Sequence, residues 1–90
     1  MLENLEQLIK IIREKKNSSP DESYTNKLLN DKKLSVAKVN EEIKELIESI
    51  EQNSNKIHEA ADVIYHLMVY LEGNNIMIED VMEELKKRQK

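Results

Sequence analysis

Ninety residues make one small domain, and a chain of this length buries only a modest core by itself. Charged residues supply 36% of the chain and hydrophobic residues 39%, with one Gly, one Pro and no Cys, Trp or Phe, which excludes a disulfide framework, a thiolate metal site and a cysteine nucleophile. The formal charge of -4 argues against nucleic acid as a partner, and no apolar run has the length of a secretory core or a membrane span, so a cytoplasmic protein away from membranes is expected.

The chain reads as one all-α domain over residues 1–90 with about five helices. Leu2, Leu5, Leu8, Ile9 and Ile12 recur at helical spacing and predict an amphipathic first helix from Leu2 to Lys16. Ser19-Pro20-Asp21-Glu22 has the pattern of a capping box, with Pro at the first helical position, and predicts a short second helix through Tyr24 to Leu29. Asn30 to Lys33 reads as a polar, basic connector.

A third helix is expected from Leu34 or Ser35 to Gln52, with Val36, Val39, Ile43, Leu46, Ile47 and Ile50 as its core stripe and Glu42 at the edge of that stripe. Asn53 to Asn55 has turn composition. The fourth helix, from Asn55 to Glu72, is apolar nearly all round, which predicts burial on every side. Two neighbouring helices in so small a protomer cannot cover it, so homodimerisation through this helix is expected. Gly73 is the expected left-handed stop, followed by a last amphipathic helix from Ile76 to Lys87. The basic residues Lys86, Lys87, Arg88 and Lys90 suit its C-terminus.

The chemistry concentrates in acids. Glu42 and Glu45 lie three apart on the third helix, Glu59 and Asp62 three apart on the fourth, and Glu41 adjoins the first pair. Side chains three apart share a helix side, and like charges there repel. Two such helices joined by a short turn pack antiparallel and let four carboxylates face one another, an arrangement that asks for a cation. Oxygen ligands suit Mg²⁺ or Mn²⁺ rather than Zn²⁺. The plainer alternative is a solvated acidic face over Glu41, Glu42, Glu45 and Glu48. Against it stand Glu59 and Asp62 within an apolar helix, where an unpaired carboxylate costs several kcal/mol. His66, one turn after Asp62, reads as a core histidine able to hydrogen-bond to the acids, and His58 as surface. Lys38, one turn before Glu42, is placed to pair with the acids or reach a phosphate. Tyr65, Tyr70, Met68 and Met82 read as packing residues.

The segments Ser23-Tyr24-Thr25, Lys38 to Glu45, Glu59 to Leu67 and Ile78 to Val81 resemble the phosphoribosyl-ATP pyrophosphohydrolases of histidine biosynthesis. The acidic core is similar to the EExxE…ExxD signature of the all-α, MazG-like nucleoside triphosphate pyrophosphatases. That resemblance implies a four-helix-type bundle that dimerises and Mg²⁺-dependent hydrolysis of phosphoribosyl-ATP to phosphoribosyl-AMP and pyrophosphate; the sequence leaves open whether the dimer pairs further into a tetramer. It implies Glu42, Glu45, Glu59 and Asp62 as metal ligands, Glu41 as an auxiliary acid for the attacking water, and Lys38 facing the phosphates. It also implies that Tyr24 and Thr25 belong to a branch-specific substrate segment. Three positions depart from the family pattern: Asn40 stands in place of Gly, Ala37 in place of Lys, and Met77 where a Ser would cap the last helix. With no companion cyclohydrolase segment in the sequence, the next step is expected of another polypeptide. A (d)NTP pyrophosphatase and a non-enzymatic helical dimerisation module are the competing expectations.

Overall fold

The computed structural model describes residues 1–89, and Lys90 lies outside the described residues. Five α-helices follow one another: α1 (Glu3–Glu14), α2 (Tyr24–Leu29), α3 (Lys32–Gln52), α4 (Lys56–Gly73) and α5 (Ile78–Lys87). A 3₁₀ turn over Lys15–Asn17 extends α1, and there is no strand among the described residues. The all-helical bundle agrees with the expectation from sequence.

Several boundaries move, each for a local reason. Ser19 to Glu22 forms a turn rather than the start of a helix, with the amides of Glu22 and Ser23 both bonded to the Ser19 carbonyl. The N-cap of α2 is Ser23, whose hydroxyl accepts from the amide of Asn26 at 3.1 Å. The expected connector shrinks to Asn30 and Asp31, because the Asp31 carboxylate accepts from the Leu34 amide and draws Lys32 and Lys33 into α3. Gly73 is not the left-handed stop of α4. It is the last helical residue, and Asn75 takes the left-handed conformation at φ 60°, with the Ile76 amide closing back onto the Leu71 carbonyl. Met77 caps α5 without a side-chain bond.

The α3–α4 hairpin is the most extensive helix pairing in the molecule. Asn53 and Asn55, at φ 53° and 56°, reverse the chain between the two helices, and the Ser54 amide bonds to the Ser49 carbonyl. Asn is among the few residues other than Gly that tolerate the left-handed region. The fully buried apolar side chains Ile12, Leu28 and Val69 gather where α1, α2 and α4 meet, with Leu8, Leu29, Leu34, Tyr65 and Met68 packed against them. Glu72, buried at the end of α4, is bonded by Lys16 Nζ at 2.7 Å and Arg13 Nε at 3.3 Å, which fastens α1 to α4. Arg13 also donates to Glu79 at 2.7 and 2.9 Å, which brings in α5.

The expected core stripe of α3 is corrected. The face of α3 turned inward carries the buried residues Ser35, Glu42 and Ser49, seven apart, whereas Val36, Ile43, Ile47 and Ile50 are exposed. On α4, Ile57, Ile64 and Leu67 are likewise exposed, so the helix is not enclosed within the protomer. No helix among the described residues is long and apolar enough to cross a membrane.

Ser23→Ala removes the α2 cap and is expected to lower unfolding stability by about 1 kcal/mol in urea denaturation. The Arg13 guanidinium holds the Glu79 carboxyl down to about 2. A depressed carboxylate stabilises fully above its ordinary pKa of 4.5 and loses that contribution as pH falls toward the folded value. The wild type should therefore lose its stability advantage over Glu79→Gln between those two pH values, as read by denaturant midpoints.

Candidate metal and phosphate site

Glu42 and Glu45 stand on consecutive turns of α3, and Glu59 stands on the first turn of α4 across the hairpin. One carboxylate oxygen from each lies within 4.8 Å of those of the other two. Asp62 gathers with Glu59 and His58 in an adjoining group of the same spread, so Glu59 belongs to both. All four acids expected as ligands thus stand in two groups joined at Glu59. Glu42 is 8% exposed, with its Oε2 buried and unpartnered, and Oε2 of Glu59 is buried and unpartnered as well.

Two orphaned carboxylate oxygens beside further acids are a costly arrangement in a protein, where buried polar atoms are almost always bonded. The strain appears in their protonation. Burial, then the charges of Glu45 and Asp62, push the Glu42 carboxyl above its ordinary value. Glu59 is raised as well, first by desolvation and then by the charge of Glu45. A divalent cation resolves both costs, and an all-oxygen donor set with one nitrogen at its margin fits Mg²⁺ or Mn²⁺.

The flanking residues divide. Lys38 pairs with Glu41, not Glu42, at 3.2 Å, and that bond raises its pKa. Glu41 is itself half-exposed and outside both acid groups. Tyr24 is 47% exposed, and its hydroxyl lies 3.3 Å from His66 Nε2. Burial of that hydroxyl raises its pKa, with the charge of Lys38 acting in the opposite direction and those of Glu42 and Glu41 adding to the rise. Thr25 Oγ1 hydrogen-bonds to the hydroxyl of Tyr65, which therefore does more than pack. His66 is buried, as expected of a core histidine, but its Nδ1 meets the main-chain carbonyl of Asp62 at 2.9 Å rather than a carboxylate.

One residue escapes the sequence reading. His58 is indeed exposed, yet its Nε2 lies 3.4 Å from an Asp62 carboxylate oxygen, and the i, i+4 spacing was the available signal. Glu72, the buried acid of α4, is bonded on both oxygens and takes no part.

A helical hairpin that buries opposed carboxylates beside a lysine has the features of a cation-assisted phosphate-handling site. The chain belongs to the phosphoribosyl-ATP pyrophosphohydrolase family, whose profile matches residues 5–89. It is 39% identical over 87 residues to a phosphoribosyl-ATP pyrophosphatase of Methylobacterium nodulans, covering 93% of this chain and 81% of that protein. A Bacillus cereus phosphoribosyl-ATP pyrophosphatase is 41% identical over 86 residues, covering 90% of this chain and 78% of the relative. The histidine biosynthesis bifunctional protein HisIE of Thermotoga maritima is 39% identical over 87 residues. There the match covers 93% of this chain, which spans 44% of that longer protein. No solved structure matches the chain.

The raised carboxyls set the sign of a pH effect. The folded protein holds those protons more tightly than the unfolded chain, so metal-free stability from the cluster is greatest below the ordinary value of 4.5 and is lost as pH rises through the raised values. Glu42→Gln should therefore melt above the wild type at neutral pH without divalent ions, and that advantage should shrink as the buffer is acidified. A thermal melt series across pH checks it.

Proposed function

We propose that this chain hydrolyses phosphoribosyl-ATP to phosphoribosyl-AMP and pyrophosphate with Mg²⁺, the second step of histidine biosynthesis. The observation that carries the reading is the pair of orphaned, buried oxygens on Glu42 and Glu59, held within reach of Glu45 and next to Asp62. Family membership and the names of the relatives supply the substrate.

In this reading Glu42, Glu45, Glu59 and Asp62 hold the ion. When bound, Mg²⁺ supplies positive charge against the phosphate oxygens and eases deprotonation of water. The chain's own residues do the rest. Lys38 turns its ammonium from Glu41 toward the phosphates, adding charge where the leaving group develops its own. Glu41, beside Lys38, takes the proton of the attacking water. The water oxygen bonds to the α-phosphorus, the bridging bond from that phosphorus to the β-phosphate oxygen breaks, and pyrophosphate leaves intact. Tyr24 and Thr25 on α2 form a wall for the nucleotide.

We also propose a homodimer. Val36, Ile43, Ile47 and Ile50 on α3 and Ile57, Ile64 and Leu67 on α4 leave both helices of the hairpin with exposed apolar side chains, while the fully buried apolar core is small. A second copy with the same surfaces is the simplest cover. The dimer surface would then belong to α3 as well as α4, rather than to α4 alone.

Incubation with phosphoribosyl-ATP and Mg²⁺ should release pyrophosphate, and turnover should exceed that of dCTP, dUTP or ATP. Release of orthophosphate, or preference for a (d)NTP, would sink this assignment. Mg²⁺ should raise the melting temperature of the wild type by mass action on the native state. Glu59→Ala and Asp62→Ala should each lower kcat/KM by at least about 100-fold, as loss of a group stabilising transition-state charge does, and should blunt that thermal shift. Light scattering should give twice the 10.6 kDa chain mass, and Ile47→Glu should return it to the monomer value.

A further inference from the structure

Helix α2 has six residues, fewer than an isolated helix needs in water, so its side-chain contacts decide where it sits. Its later half is fixed by Leu28 in the core and by Asn26, which is buried and donates to the carbonyls of Lys15 and Ser18. Its first turn is held against α4 by two contacts, Thr25 Oγ1 with Tyr65 and the Tyr24 hydroxyl with His66.

The second contact has a defined polarity. A carbonyl only accepts, so the bond to Asp62 places the ring proton of His66 on Nδ1. In the neutral ring Nε2 is then free to accept, and the Tyr24 hydroxyl donates to it. The rings reinforce this arrangement edge-on, with centroids 4.9 Å apart for Tyr65 and His66 and 6.1 Å for Tyr24 and His66. Asp62 thus orients the imidazole through its main chain, and the imidazole orients Tyr24.

We infer that His66 is a positioning residue that latches the α2 wall, through the Tyr24 hydroxyl, to the turn of α4 that presents Asp62, fixing the distance between nucleotide contacts and acid cluster. The nature of the nucleotide rests on the function proposed above, whereas the latch itself does not.

Three variants separate the parts. Tyr24→Phe deletes only the hydroxyl. His66→Asn keeps a donor near the Nδ1 position but falls short of Tyr24, whereas His66→Gln reaches toward the Nε2 position and keeps an acceptor for it. Amide exchange of metal-free protein should be faster in α2 by roughly fivefold for Tyr24→Phe and His66→Asn, the weight of one net hydrogen bond, with α3 and α4 unchanged. His66→Gln should restore slow exchange. KM for phosphoribosyl-ATP should rise by a similar factor in the first two variants while kcat changes less than about twofold, since the acids are untouched. Wild-type α2 exchange in Tyr24→Phe, or identical behaviour of the Gln and Asn variants, overturns the latch. Faster α2 exchange with unchanged KM overturns the role of α2 as the wall. If the wild type does not turn over phosphoribosyl-ATP, the functional reading fails and the exchange arm still decides the latch.

Discussion

The molecule is organised around the cost of bringing Glu42, Glu45 and Glu59 together between two helices. Carboxylates prefer water, and opposed carboxylates prefer distance. The hairpin denies them both, with one Glu42 oxygen and one Glu59 oxygen left unbonded. A structure that only needed stability would place apolar side chains at that seam. Instead, the buried residues of α3 are Ser35, Glu42 and Ser49, with Val39 and Leu46 half-buried and Val36, Ile43, Ile47 and Ile50 exposed. Ser49 is satisfied locally by the Leu46 carbonyl, so the seam's unmet demand is concentrated at the acids.

Stability is supplied elsewhere. Ile12, Leu28 and Val69 close the end of the bundle where α1 and α2 meet α4, and Glu72 is bonded there by Arg13 of α1 and Lys16 of the 3₁₀ turn that follows it. A buried and a half-buried acid on one helix therefore have opposite characters. Glu72 has partners on both oxygens, whereas Glu59 keeps one oxygen bare. Separating the paired end from the unpaired end lets the site be destabilised without loosening the scaffold.

Much of this was legible in the sequence, and the failures are informative. The i, i+3 acid pairs, the short turn between their helices and the helical periodicity all survive in the structure. What periodicity could not supply was direction. An apolar stripe reads as a core face, but on α3 four of its six residues, Val36, Ile43, Ile47 and Ile50, are exposed in the protomer, because hydrophobic spacing says that a side must be covered and not by which molecule. Boundaries slipped where side-chain caps compete: Ser23 and Asp31 outweighed the capping-box pattern at Ser19 and the polar look of Lys32 and Lys33. Asn75 took the role given to Gly73, since Asn also accepts positive φ. The pairing of Tyr24 with His66 across forty-two residues has no local signature at all.

The tight reversal at Asn53 and Asn55 has a kinetic meaning. All four clustered acids fall between Glu42 and Asp62, so they come together by closing one short hairpin rather than by joining distant parts of the chain. Pairings this local form early in folding and at small loop-closure cost. On the metal reading proposed above, a divalent ion that relieves repulsion among these acids would act on the rate at which the bundle assembles as well as on how long it lasts.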